Sequence, residues 1–241
     1  MVKKRGKFIV IDGLDGVGKG VFLKTFFKCA EEENKIVFDV DDFWGKNNQN
    51  PKIEELMISK TDIIITSEPT YMGIGKYIRD ELISNNSEVK YSSQTIAEAY
   101  ALDRRILYEN LIIPALETGI DVYQSRSLSS SIVYQRQSAI DEWQHFDVKD
   151  ILSIPGNKFC YENPMDYLLI PTIKNVKELN LRLENREKRD DCIFENLEFQ
   201  LKLKEQYESD DFKKIFELKG VKVIYLDAGK SLKHSEYLAE E

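Results

Sequence analysis

Cysteine and histidine are scarce in this chain of 241 residues. It has three cysteines and two histidines, and the cysteines are far apart with no CxxC pair. We therefore expect neither a disulfide framework nor a zinc site built on these residues, and a cytoplasmic location is the simplest interpretation. Any metal would have to be held by oxygen ligands.

Long apolar runs are also missing. None approaches the roughly 20 residues that a membrane-spanning helix needs. The basic residues near the start lead only into the short run FIVI of residues 8–11, which Asp12 interrupts. Because that run is shorter than the apolar core of a signal peptide, we expect neither a membrane span nor secretion.

Positive charge is outnumbered by negative charge. The chain has 42 acidic and 34 basic residues, a formal net charge of -8. This sign is wrong for a protein that coats nucleic acid by neutralising phosphates. The hydrophobic fraction of 42% is enough for a buried core. The composition predicts a soluble protein, and the length favours one domain over residues 1–241.

Short β-rich runs alternate with longer helical patterns along the chain. Continuous apolar strands separated by helices indicate a parallel sheet with helices on both faces, the α/β class. The predicted strands are residues 8–11, 36–40, 63–65, 122–123, 167–170 and 221–226. The predicted helices are residues 19–32, 73–84, 93–118, 176–186 and 195–208.

Three features interrupt this pattern. Pro114 is expected to kink or divide the longest helix. A polar, turn-rich excursion begins at Asp41 and covers about residues 41–60, and a second segment, residues 154–164, has two prolines and a glycine. Neither segment is long enough to be a domain linker.

A phosphate-binding loop is the clearest motif. GLDGVGK, residues 13–19, fits GxxxxGK directly between the first predicted strand and the first predicted helix. In that position backbone N–H groups and a helix N-terminus bind phosphates, and Lys19 reaches the β- and γ-phosphates. The predicted ATP-binding residues are Gly13, Leu14, Asp15, Gly16, Val17, Gly18, Lys19 and Gly20. Gly20 stands where a Ser or Thr hydroxyl normally contacts magnesium.

The run FIVIDGLDGVGKG of residues 8–20 resembles the start of the thymidylate kinases. Three further blocks follow in that family's order, at residues 66–82, 101–116 and 124–135. The resemblance covers most of the chain. It implies a three-layer P-loop NTPase fold with a small lid at about residues 184–195. It also implies transfer of phosphate from ATP to dTMP with Mg²⁺, in a cytoplasmic homodimer.

The resemblance also implies roles for individual residues. Asp15 would bind the 3′-hydroxyl of the acceptor sugar and Arg126 its 5′-phosphate, while Tyr100 would stack on thymine and Arg104 bind its carbonyl edge. The implied catalytic residues are Lys19, Arg126, Arg186 and Arg189. The implied substrate-binding residues are Asp15, Glu68, Pro69, Tyr100, Arg104, Arg126 and Gln135. Without the resemblance, Tyr100 fits a core position, and the charged run at Arg186 fits a solvated helix face.

The chain departs from the family pattern at three positions. Ser67 replaces an arginine, Ser125 replaces an aspartate, and Gly20 replaces a hydroxyl residue. Two of these changes concern magnesium, so we expect rearranged metal coordination. The candidate metal ligands are Asp12 and Glu68, with Asp41 or Asp42 from the excursion as further candidates.

Two other functions remain open at this stage. A deoxynucleoside kinase of the same fold would phosphorylate a nucleoside, and the arginine lost at Ser67 favours it. A nucleotide-binding protein with weak turnover is the second alternative, because all three departures would lower activity. Lys19, Arg104 and Arg126 instead favour an active kinase whose acceptor already has a phosphate.

Overall fold

Six parallel strands form one sheet in the order β2-β3-β4-β1-β5-β6. The computed structural model of the chain describes residues 4–184, 192–194 and 196–229. The strands are β1 (Phe8–Ile11), β2 (Val37–Asp39), β3 (Ile63–Ser67), β4 (Asp121–Ser125), β5 (Tyr167–Thr172) and β6 (Lys222–Asp227). The prediction of a parallel α/β sheet is therefore confirmed.

Helices connect the strands, as parallel neighbours require. They are α1 (Lys19–Glu32), α2 (Val40–Asn47), α3 (Ile53–Ile58), α4 (Gly73–Tyr77), α5 (Ser93–Leu107), α6 (Ile113–Glu117), α7 (Leu128–Asp141), α8 (Val148–Ser153), α9 (Pro155–Glu162), α10 (Val176–Glu184), α11 (Leu197–Tyr207) and α12 (Asp210–Glu217). A π-helical turn, Ile78–Leu82, continues α4. Within the described residues, no helix is both long enough and apolar enough to cross a bilayer.

Both faces of the sheet are covered by helices. Alternate side chains of a strand point to opposite faces. On one face Ile63 and Ile65 pack with residues of α1, and on the other Phe8 meets the ring of Tyr108 edge to face. Strands buried on both sides explain why the apolar runs in the sequence are continuous rather than alternating.

Proline and helix-capping residues lie at the starts of the helices in the segments where the sequence pattern is interrupted. Pro114 lies in the first turn of α6, after a π-helical turn (Tyr108–Ile112) that joins it to α5. The backbone stays in the right-handed helical region across both junctions, so the long helix contains a π-helical turn before Pro114 and is not divided there. The prediction of irregular, turn-rich structure for residues 41–60 and 154–164 is wrong, because these segments contain most of α2 and all of α3 and α9. Asp39 caps α2 by accepting a hydrogen bond from the backbone N–H of Asp42. Pro155 occupies the first turn of α9, where its missing N–H costs nothing.

The carboxyl ends of the central strands meet at one edge of the sheet. Ile11 of β1 is in register with Ser125 of β4, which is in register with Ser67 of β3. The next residues, Asp12, Arg126 and Glu68, therefore emerge side by side. In open α/β sheets this edge is where ligands bind.

Candidate active site

The phosphate loop leaves β1 and enters α1 through three glycines with positive φ. Gly13, Gly16 and Gly18 have φ of 138°, 79° and 93°. Such values suit glycine, which has no Cβ. A Cβ on Gly13 would also lie 3.3 Å from the carbonyl oxygen of Pro171. The sequence motif thus forms a tight loop at the N-terminus of a helix, the geometry that binds phosphate.

Lys19 folds back over this loop. Its Nζ donates hydrogen bonds to the carbonyl oxygens of Gly13 (3.1 Å) and Leu14 (2.7 Å), and it lies 3.6 Å from Oδ1 of Asp15. The ammonium group is therefore held at the mouth of the phosphate cradle. Nucleotide phosphates would replace the loop carbonyls as its partners.

Asp15 links the loop to three other elements. Its Oδ1 is ion-paired with Arg126, which follows β4. Its Oδ2 accepts hydrogen bonds from Tyr134 of α7 and Gln200 of α11, each at 3.1 Å. Arg126 itself has φ of 63°, an unusual backbone conformation for a residue with a side chain. The predicted donor and acceptor residues Lys19, Asp15 and Arg126 therefore lie together.

Asp12 is fully buried at the end of β1. Its Oδ1 accepts hydrogen bonds from the backbone N–H of Gly13 (2.7 Å), the hydroxyl of Ser130 (2.7 Å) and the hydroxyl of Tyr207 (3.1 Å). Its Oδ2 accepts one from Ser129. This carboxylate fixes the start of the loop against α7 and α11.

Arg104 and Glu68 form a second, fully buried cluster. Arg104 is 0% exposed, and its Nε donates to Glu68 at 2.7 Å. Nη1 of Arg104 donates to Asn157, and Nη2 donates to Ser131. Gln124 donates to the other oxygen of Glu68 at 2.8 Å. Burial raises the pKa of Glu68 to about 7 even though Arg104 opposes the shift. Pro69 follows Glu68 through a cis peptide bond.

Tyr100 and Gln135 were predicted to bind the acceptor near its base. Tyr100, on α5, is partly buried, and burial raises its pKa although the charges of Arg126 and Arg104 oppose this. Gln135, on α7, is 3% exposed, and its Oε1 has no hydrogen-bond partner among the described residues. A buried acceptor without a partner is uncommon, because its desolvation is not compensated. The roles predicted for Tyr100, Arg104 and Gln135 toward the base stay predictions.

The departure at Ser67 has a structural counterpart in the excursion. The Ser67 hydroxyl donates to Oδ2 of Asp41 at 2.6 Å, and Oδ1 of Asp41 is buried without a partner in the described part of the chain. Burial raises the pKa of Asp41 to about 6. Asp42 instead pairs with Lys46 at the surface, 2.6 Å away. The Asp41 side chain therefore lies at the carboxyl end of β3, and the Asp42 side chain does not.

The described side chains do not fit a protein-bound magnesium site beside the loop. Gly20 and Ser125 lack the hydroxyl and the carboxylate that the resemblance leads one to expect. Asp12 and Glu68, the candidate ligands, already accept hydrogen bonds on both carboxylate oxygens. Asp41, the further candidate, is bonded to Ser67 at the end of β3, which lies two strands away from β1 and its loop.

The lid residues Arg186 and Arg189 lie outside the described residues, and their predicted roles remain untested. Helix α10 leads toward them, and its Leu183 side chain is 3.2 Å from where a Cβ on Gly16 would lie. A side chain at position 16 would therefore meet Leu183.

Gln200 and Tyr207 of α11 are site residues that were not predicted from the sequence. Both side chains are almost completely buried, at 0% and 1% exposure, and they contact Asp15 and Asp12 respectively. The available signal was a glutamine within the apolar face formed by Phe199 and Leu203. A polar residue at such a position requires a hydrogen-bond partner.

Comparisons with known proteins point to one family. A family model described as thymidylate kinase matches residues 41–237, a region that begins beyond the phosphate loop. A protein named "Probable thymidylate kinase" from Methanococcus maripaludis is 33% identical over 172 residues, covering 71% of this chain and 74% of that protein. Another of that name, from Thermococcus kodakarensis, is 30% identical over 209 residues, covering 83% and 82%.

A solved structure has the same fold. The thymidylate kinase from Candida albicans matches with a TM-score of 0.59 at 18% sequence identity, and the match covers 97% of this chain and 89% of that chain. At this identity the similarity concerns the fold alone.

Proposed function

The chain belongs to the thymidylate kinase family, and from this membership we propose that it transfers the γ-phosphate of ATP to dTMP, giving dTDP and ADP. The observation that carries the proposal is the position of Asp15. It lies in the phosphate loop, 3.6 Å from Lys19, and is ion-paired with Arg126. A cation for the donor phosphates and a cation for the acceptor phosphate thus both face Oδ1 of one carboxylate.

Phosphoryl transfer depends mainly on positioning and on neutralising charge. In our proposal Lys19 binds the β- and γ-phosphates of ATP, and Arg126 binds the 5′-phosphate of dTMP. Asp15 then accepts a hydrogen bond from the 3′-hydroxyl. Arg186 and Arg189 would add positive charge at the transferring group. Each ligand phosphate would take over a cation whose described partners are protein oxygens.

For the base, we propose that Tyr100 stacks on thymine and that Gln135 binds its edge or the sugar. The unpartnered Oε1 of Gln135 supports this assignment. Arg104 would act from behind, because its side chain is 0% exposed and donates to the buried side chains of Glu68, Asn157 and Ser131. Glu68 and Pro69 would shape the same wall.

We propose that Mg²⁺ arrives with ATP and is held mainly by the phosphate oxygens, where it neutralises negative charge. This follows from the poor fit of Gly20 and Ser125 as ligands. A homodimer is proposed from the family resemblance. A cytoplasmic location is consistent with the three cysteines, all described, none of which forms a disulfide.

A coupled assay of ADP release tests the proposal with four acceptors: dTMP, dUMP, dCMP and thymidine. We expect the highest kcat/KM with dTMP. Lys19→Ala should lower kcat by about 10²–10³-fold, because one donor to the developing charge is lost. Lys24→Ala, which removes an exposed lysine of the same helix, is the matched control and should leave kcat unchanged.

Two outcomes would contradict the proposal. Activity on thymidine alone would identify a deoxynucleoside kinase. Tight ATP binding without turnover of any acceptor would identify a nucleotide-binding protein of low activity.

A further inference from the structure

We propose that Gln200 of α11 is a positioning residue that orients Asp15 toward the acceptor sugar. The inference rests on the proposed function and extends it to a residue outside the phosphate loop. Gln200 is separated from Asp15 by 185 positions in the sequence and is 0% exposed. No ligand is expected to touch it, so it would act through Asp15 alone.

The amide of Gln200 matches Asp15 at two points. Its Oε1 accepts the backbone N–H of Asp15 at 2.8 Å, and its Nε2 donates to Oδ2 of the same residue at 3.1 Å. The second Nε2 hydrogen goes to the carbonyl oxygen of Phe194 at 3.0 Å. The amide orientation is therefore fixed, because only an oxygen faces the N–H group and only a nitrogen faces the two acceptors.

The surroundings of Gln200 hold it in place. Phe194 and Phe199 are stacked with ring centroids 5.5 Å apart, and Tyr134 meets both rings edge to face. The Tyr134 hydroxyl also donates to Oδ2 of Asp15. Oδ2 of Asp15 thus accepts hydrogen bonds from two neutral donors, whereas Oδ1 faces two cations, Arg126 and Lys19.

Because the two oxygens of Asp15 have different partners, loss of Gln200 should change how the carboxylate meets the acceptor. If Gln200 is lost, Oδ2 loses one of its two described donors and keeps Tyr134, so the carboxylate is drawn further toward Arg126 and Lys19. Asp15 would then be misaligned for the 3′-hydroxyl, and both cations would be less available for phosphate. We expect the loss to reduce the use of acceptors that have a 3′-hydroxyl most strongly.

The variant Gln200→Glu tests the amide directly. A glutamate still accepts the N–H of Asp15, but when ionised it turns an oxygen toward Oδ2. Burial and the neighbouring Asp15 carboxylate should raise the pKa of this glutamate above its usual value of about 4.3. Once protonated, it again donates to Oδ2, so activity should recover as the pH falls. The charged and titratable groups around the position are Asp15, Lys19, Arg126, Tyr134, Asp12 and Tyr207.

The measurement is kcat/KM for dTMP, relative to wild type, between about pH 6 and about pH 8.5. For Gln200→Glu we expect kcat/KM to be about 100-fold below wild type at about pH 8.5. At about pH 6 the difference should be about tenfold or less. Gln206→Glu is the matched control on the same helix, since Gln206 bonds Gln137 at 2.6 Å and is bonded to neither loop aspartate. It should stay close to wild type throughout.

Gln200→Met is the second variant, because it keeps the side-chain length and cannot recover with pH. With it we compare dTMP and 3′-deoxy-dTMP, expecting the preference of the enzyme for dTMP to fall about tenfold. Equal losses for both acceptors, or a deficit of Gln200→Glu that does not change with pH, would overturn the inference. These comparisons need a wild-type enzyme that phosphorylates dTMP, so failure of the proposed function would be seen first and separately.

Discussion

Two arginines expected to serve the same acceptor differ sharply in their surroundings. Arg126 is 21% exposed and paired with Asp15 in the loop cluster, formed by Asp12, Asp15, Lys19, Arg126 and Gln200. Arg104 is 0% exposed in the buried cluster, formed by Glu68, Arg104, Gln124, Ser131 and Asn157. At the edge of the loop, a ligand phosphate can replace the carboxylate as partner. In the buried cluster each nitrogen of Arg104 already donates to a protein side chain, and the arginine is closed off from solvent.

Replacing each arginine by methionine should separate the two clusters most clearly. Arg104→Met leaves Glu68 buried without its cation, and we expect it to lower the free energy of unfolding by about 3 kcal/mol near pH 8. Arg126→Met should cost about 1 kcal/mol, because Asp15 keeps Tyr134 and Gln200 as donors. Urea unfolding of both variants measures the difference.

The pH dependence of the Arg104→Met deficit is a sharper test. The pKa of Glu68 is already raised to about 7 in the wild type, and loss of Arg104 removes a charge that opposes the rise. Glu68 should therefore be neutral at pH values below about 7, where the deficit shrinks. Adding Glu68→Gln to Arg104→Met should recover part of the lost stability. Equal and pH-independent losses for the two arginine variants would contradict the distinction between the clusters.

Asp41 extends the comparison to a buried carboxylate with no arginine bonded to it. Its folded pKa is raised from 3.8 to about 6, so the folded state binds the proton more tightly than the unfolded state. The stabilisation is complete below the unfolded value and is lost as the pH rises from about 4 to about 6. Asp41→Asn should remove this loss, which after allowance for partial exposure is on the order of 2 kcal/mol.

Unfolding by urea at several pH values measures this effect. Asp42→Asn is the control, because Asp42 is a neighbouring aspartate of the same helix with an exposed carboxylate. We expect the wild-type slope of stability against pH in the control. If Asp41→Asn keeps that slope, the buried oxygen of Asp41 has found a partner or solvent that compensates for its burial.

Local patterns predicted the sheet and the loop well, and failed where tertiary contacts decide. Predicted β1 and α1 match the observed bounds, because an apolar run and a glycine motif are visible in a few residues. Helix α2 was missed because its residues favour turns, and the buried side chains that stabilise it are only Val40 and Trp44. Short helices of this kind depend on packing more than on propensity.

The site divides in the same way. Lys19, Asp15 and Arg126 were predicted because each lies in a motif. The link between Gln200 and Asp15 could not be predicted, because the two residues are 185 positions apart and only the fold brings them together. The charge properties of the site were likewise hidden, since the shifted pKa of Glu68 results from burial.

The smallest expected effect concerns Gly20, on the loop side of the comparison. A Cβ at this position would have nothing within 4 Å, so Gly20→Ser fits without displacing any atom. A serine in the first turn of α1 would restore the hydroxyl that commonly contacts magnesium in such loops. We expect tighter ATP binding with Mg²⁺ and unchanged binding with EDTA, so that the ratio of the two Kd values shifts about three- to tenfold.

Gly45→Ser separates this effect from helix stability. Gly45 lies within α2, and a Cβ there also has nothing within 4 Å. Both substitutions should stabilise the protein by about 0.5 kcal/mol through helix propensity, but only Gly20→Ser should change the effect of Mg²⁺ on nucleotide binding. Because Mg²⁺ held by phosphate oxygens alone needs no protein ligand, the wild type should bind ATP with a weaker Mg²⁺ dependence than Gly20→Ser. Identical Mg²⁺ dependence in wild type, Gly20→Ser and Gly45→Ser would mean that the hydroxyl does not reach the ion.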